Sequence, residues 1–209
     1  MSAGCQNHHA TRFDGTSPAY RRALWIVIAI NAAMFFIEMG GGAWAGSQAL
    51  KADALDFLGD SLTYGLSLAV IGMPLARRAE AALFKGITLL AMGLWVFGTT
   101  LWNVLILGVP SAPVMTIIGF LALTANVASV LILMKFKDGD ANVRSVWLCS
   151  RNDAIGNIAV IGAAGLVALT QSGWPDLVVA ALMAGLFLSS ARQILWQAWH
   201  ERQVAVSAD

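Results

Sequence analysis

Polar residues in this chain come in short clusters, and between them run apolar stretches long enough to cross a bilayer. Six such stretches can be read, at roughly 23–46, 50–73, 84–108, 113–134, 144–170 and 175–198. Each exceeds the ~20 residues that a helix needs to cross a hydrocarbon layer ~30 Å thick. Helix is the expected form, because a lone segment in lipid must satisfy its own backbone N–H and C=O groups. The prolines agree with this division. Pro18, Pro74, Pro110, Pro113 and Pro175 all fall at or between the ends of the stretches, where a missing N–H costs least. Runs such as GGGAWAG and AAGLVALT supply small residues that let helix backbones approach closely. The pattern predicts an all-α membrane protein, a bundle of six transmembrane helices.

Composition gives the same answer independently. Of 209 residues, 58% are hydrophobic and 12% charged, with a mean hydropathy of +0.70. A soluble domain carries about a quarter charged residues, so the chain has too little polar surface for water and enough apolar surface for lipid. The predicted organisation is an N-terminal tail at 1–21, a six-helix domain at 22–200 and a short tail at 201–209. The first tail has no apolar core of a signal peptide, and no cleavable leader is expected. Net charge is +1, which gives no reason to expect nucleic acid as a partner. Cys5 and Cys149 are far apart in unlike surroundings, so a disulfide is not expected.

Lys and Arg alternate along the chain. Arg12, Arg21 and Arg22 precede the first stretch, Arg77, Arg78 and Lys85 follow the second, Lys135, Lys137 and Arg144 follow the fourth, and Arg192 and Arg202 close the sixth. The other connections are nearly bare, with Lys51 close to one. By the positive-inside rule both termini are expected in the cytoplasm.

Five acids lie inside the stretches: Glu38, Asp53, Asp56, Asp60 and Asp153. Each costs on the order of 2.5–3.5 kcal/mol at a helix centre, so a reason is required. Asp56 and Asp60 are four apart and share a helix face; Cys149 and Asp153 repeat that spacing on the fifth stretch. Two helices each offering such a pair can supply the four ligands that tetrahedral Zn²⁺ takes. The competing account is an ion pair with Arg151, yet one arginine does not neutralise several acids.

Other polar residues admit two readings. Glu38 and Asp53 are structural or support the ligands. Asn31 and Asn126 are read as helix–helix hydrogen-bonding residues. Cys149 taken alone is a small buried residue; its spacing to Asp153 makes it a ligand. Cys5, His8 and His9 in the tail are a weak metal-capturing cluster or part of a disordered tail. His8, His9 and His200 lie outside the stretches and no nucleophile–His arrangement is present, so an enzyme is not expected.

The stretch NAAMFFIEMGGGAWAGSQALKADALDFLGD resembles the first two membrane helices of the cation diffusion facilitators, proton-coupled exporters of zinc, cadmium, cobalt and related metals. That family's pattern falls here on Asn31, Glu38, Ser47, Ala49, Leu50, Ala52, Asp53, Ala54, Asp56 and Asp60. NVRSVWLCSRNDAIGN is similar to its fifth helix from Asn142 to Asn157, and WPDLVVAALMAGLFLSSARQIL to its sixth.

The resemblance implies a secondary transporter exchanging Zn²⁺, or Cd²⁺ or Co²⁺, for protons, without a resident cofactor, in a bacterial inner membrane. Its metal ligands would be Asp56, Asp60, Cys149 and Asp153, supported or proton-linked by Asp53, Glu38, Asn31, Asn152, Asn157 and Arg151. The expected partners are divalent ions, the lipid bilayer and a second copy of the chain held through the membrane helices.

Three departures stand out. Cys149 replaces the family's usual His, which tilts selectivity towards Zn²⁺ or Cd²⁺ and away from Mn²⁺ or Mg²⁺. Arg151 and Asn152 replace an apolar pair, and Arg151 either holds Asp153 or competes with the metal. No C-terminal cytoplasmic domain and no His-rich loop are expected. Two other classes fit less of the pattern: a proton-coupled organic-cation exporter, and a membrane metal sensor or scaffold that does not transport.

Overall fold

The computed structural model describes residues 17–69, 75–106, 108–137 and 141–207, of which 67, 75–79, 141–149, 197–198 and 200–207 are described by backbone alone. Among them are six long helices and no strand: α1 (Pro18–Ala45), α2 (Gln48–Ala69), α3 (Leu75–Ile106), α4 (Ala112–Leu133), α5 (Ala141–Thr170) and α6 (Trp174–Ser207). A single 3₁₀ turn, Met134–Phe136, ends α4. The six expected elements are present. α1, α3, α5 and α6 overrun their apolar stretches at one end, because a helix does not have to stop where the hydrocarbon does. The sequence 201–207 continues α6 rather than starting a separate segment.

Local signals set the ends. Ser17 Oγ accepts the Tyr20 N–H at 3.2 Å, and Pro18 fills the first helical position, where its lost donor is an orphan anyway. At the other end of α1, Gly46 adopts φ 71°, the left-handed geometry that suits glycine at a helix stop. Pro113 and Pro175 sit in first turns. Pro74 lies outside the described residues.

Among the described residues, five helices are long and apolar enough to cross a membrane, and α2 is the exception. With 22 residues, about 33 Å, it is long enough, but it carries Lys51, Asp53, Asp56 and Asp60. The bundle explains how it is tolerated. α2 packs against all five other helices, so its surroundings are protein rather than lipid. The outer helices show the reverse, with Phe36, Trp44, Leu105 and Leu169 all above 70% exposed. Lipid as solvent accounts for that apolar surface. Trp25 and Trp44 lie near opposite ends of α1, as do Trp174 and Trp199 on α6, in keeping with anchoring at the two interfaces.

The helices form two groups. α1, α2, α4 and α5 pack as a four-helix unit, while α3 and α6 pair chiefly with each other. Glycine makes that pair close: a Cβ on Gly86 would stand 2.8 Å from Leu195 and one on Gly93 2.9 Å from Leu188. An apolar cluster of Ala45, Leu50, Met115, Val160, Ala164 and Val167 fills the bundle near the α1–α2 turn. Tyr20, Leu24, Val27, Tyr64, Leu68 and Leu133 fill the end where α1 starts. Along α1 and α2, Glu38, Asp53, Asp56 and Asp60 lie between these two clusters.

The α1–α2 end is also tied by polar contacts. Asp176 on α6 accepts the Ser47 hydroxyl at 2.5 Å and the backbone N–H groups of Gln48 and Ala49 at 2.7 and 3.1 Å. These are orphan donors of α2's first turn, satisfied by an anion placed where the helix dipole favours one. The Ser111 N–H reaches Ala45 O at 2.9 Å, and Gly173 packs against the Gly108 carbonyl.

Candidate metal centre

α2 and α5 run antiparallel, and two contacts fix their register. Asn157 Nδ2 donates to Asp53 Oδ2 at 2.6 Å, and the Tyr64 hydroxyl lies 3.4 Å from Ser150 Oγ. Between these ties Asp56 and Asp60 on α2 face Asp153 on α5. The three carboxylates, all half-buried, line one cavity of about 390 Å³. α3 adds Lys85 and Leu89 to its wall, and α6 adds a face running from Met183 to Ile194, roughly 16 Å along the helix axis. Asn152, Thr63, Ser190 and Gln193 are the neutral polar residues of the lining.

The i, i+4 spacing places Asp56 and Asp60 together, and the antiparallel register brings Asp153 to them. From the apolar stretches alone, the α2 and α5 acids sit at different depths; the actual helix limits and the Asp53–Asn157 tie remove that offset. No three His, Cys, Asp or Glu side chains among the described residues converge tightly enough to hold an ion as they stand. The acids instead border a space into which an ion can move. Cys149 lies on α5 one residue before Ser150, and its side chain falls outside the described set, as do Cys5, His8 and His9.

The supporting residues separate clearly. Glu38 and Asp53 are fully buried side by side. Asp53 is linked through Asn157 to Asn126, whose Nδ2 donates to Asn157 Oδ1 at 2.9 Å. The chain Glu38–Asp53–Asn157–Asn126 therefore joins one residue from each of α1, α2, α5 and α4. Asn126 bridges helices as expected. Asn31 does not: its Nδ2 donates to Val27 O in its own helix at 2.8 Å.

Arg151 is exposed and outside the cavity lining, with Nη2 3.4 Å from Asn152 Oδ1. Among the described residues, the cation that lines the cavity is Lys85. Tyr64, whose hydroxyl donates to Asp60, is an addition to the expected set; its position four after Asp60 carries the same spacing signal. Asp176 had no local signal, since its partners lie about 130 residues away.

A multi-pass bundle of apolar helices around a carboxylate-walled cavity defines an integral membrane protein with an acidic centre. The family model for the cation efflux transmembrane domain matches residues 24–201. The chain belongs to that family, the cation diffusion facilitators. It is 26% identical to the metal cation efflux system protein CzcD of Cupriavidus metallidurans, across 83% of this chain and 58% of that protein. It is 29% identical to the zinc transporter ZitB of Yersinia pestis, across 86% of this chain and 62% of that protein. It thus spans a little over half the length of the curated relatives it matches.

Proposed function

We propose that this chain exports divalent transition-metal cations across the bacterial plasma membrane in exchange for protons, with Zn²⁺ as first cargo and Cd²⁺ or Co²⁺ next. The observation that carries the reading is the meeting of Asp56, Asp60 and Asp153, from two helices, on one cavity. Three carboxylates gathered on one cavity attract a divalent ion and, when it leaves, protons. Metal binds only the deprotonated ligands, so loading releases protons and protonation expels the metal. The Cys149 thiolate would complete four-coordination and favour Zn²⁺ or Cd²⁺.

With both termini in the cytoplasm, the cavity extends from mid-membrane towards the cytoplasmic end, while the Asp176 ties and the apolar cluster beside them stand on the far side. That arrangement suits loading from the cytoplasm. The assembly we expect is a homodimer through the membrane helices. The organic-cation reading is weaker, because such a cargo calls for aromatic faces and Phe187 is the one aromatic among the described lining residues.

The deciding experiment is Zn²⁺ and Cd²⁺ flux in proteoliposomes under an imposed pH gradient. Flux should follow the gradient and vanish in Asp60→Ala. Undiminished flux in that variant removes the site assignment, and metal binding without flux in the natural chain favours the sensor reading.

A further inference from the structure

A cavity built for cations would be expected to exclude fixed positive charge, yet Lys85 lines this one. Its side chain is half-buried on α3, one turn before Leu89, which lines the same wall. It shares the lining of that cavity with Asp60. Asp60 already receives the Tyr64 hydroxyl, so Lys85 is not needed to satisfy it. A lysine stem that only covered apolar surface would carry its ammonium outward to water; this one lines the same cavity as the acids.

We propose that Lys85 is a tethered competing cation that sets how tightly the cavity holds its cargo. In the empty cavity the ammonium supplies part of the counter-charge for Asp56, Asp60 and Asp153. An arriving divalent ion takes over that role and is repelled by the same ammonium. Like charges within a partly desolvated site interact strongly, so this repulsion weakens retention. An exporter needs that weakness, because an ion held too firmly does not leave. The ligand carboxylates ride on α2 and α5 and Lys85 on α3, which belongs to the other helix group. Any relative movement of the two groups changes the distance between competitor and site. The inference rests on the metal-site reading above.

Zn²⁺ titration of the purified full chain in detergent at fixed pH tests it, with proteoliposome flux as the second readout. Lys85→Gln should bind Zn²⁺ at least about tenfold more tightly, and its flux should saturate at lower Zn²⁺ with a lower maximal rate. Lys85→Arg, which keeps the charge, should stay close to the natural affinity. Lys85→Met provides the same measurement if the glutamine variant does not fold. Unchanged or weaker Zn²⁺ binding in the folded neutral variants overturns the proposal. Asp60→Asn separates the two levels of inference: it should lose affinity, and if it does not, the metal site itself is wrong.

Discussion

Asp60 and Asp176 are both carboxylates set among apolar helices, and they do opposite things. Asp176 is 2% exposed, and its two oxygens take three donors from Ser47, Gln48 and Ala49. Its donors all come from the start of α2 and the residue before it. Asp60 takes a hydroxyl from Tyr64, meets the Asp153 side chain, and borders a cavity also lined by Asp56 and Lys85. Burial alone therefore does not mark a functional acid in a membrane protein. What sets Asp60 apart is the open space it borders. Asp53, three residues before Asp56, shows the intermediate case: it is as buried as Asp176 and bonded to Asn157, but it faces Glu38 rather than a cavity.

The comparison can be broken at several points. The largest effect belongs to Asp153→Ala, which should reduce pH-driven Zn²⁺ flux to the level of protein-free vesicles while the purified protein keeps its helical circular dichroism. Next comes Asp176→Ala. Removing an anion from three buried donors should destabilise the bundle by about 2–3 kcal/mol, seen as earlier unfolding in detergent. Zn²⁺ affinity of the folded variant should be unchanged, and a specific loss of affinity would erase the contrast with Asp60.

Asn157→Ala should act in between. It unties Asp53 from α5, loosens the register that aligns Asp56 with Asp153, and should weaken Zn²⁺ binding by roughly tenfold. Arg151→Ala should do least, changing affinity by less than about twofold, since an exposed arginine is screened from the site by solvent and salt. A large effect there would return Arg151 to the role that Lys85 now holds.

Much of this was legible in one dimension. The apolar stretches gave six helices, since lipid demands long hydrophobic segments and their period is easily read. The i, i+4 pair Asp56 and Asp60 could be placed on one face from spacing alone. Other residues carried no such signal. Asn31 and Asn126 look alike in sequence, yet one bonds its own helix and the other a neighbour, because the difference lies in which helix stands opposite. Arg151 and Lys85 were separable only once the cavity existed.

The sequence by itself determined the solvent of this protein, the number of its helices and the helix face that carries the paired acids, because each is set by hydrophobicity and short-range periodicity. Tertiary structure alone decided which acid is held by backbone donors and which acids border a cavity, since those donors lie up to about 130 residues away. It also put a lysine among the carboxylates. Charges interact through space rather than along the chain, and only the packing of α3 against the site brings those groups together.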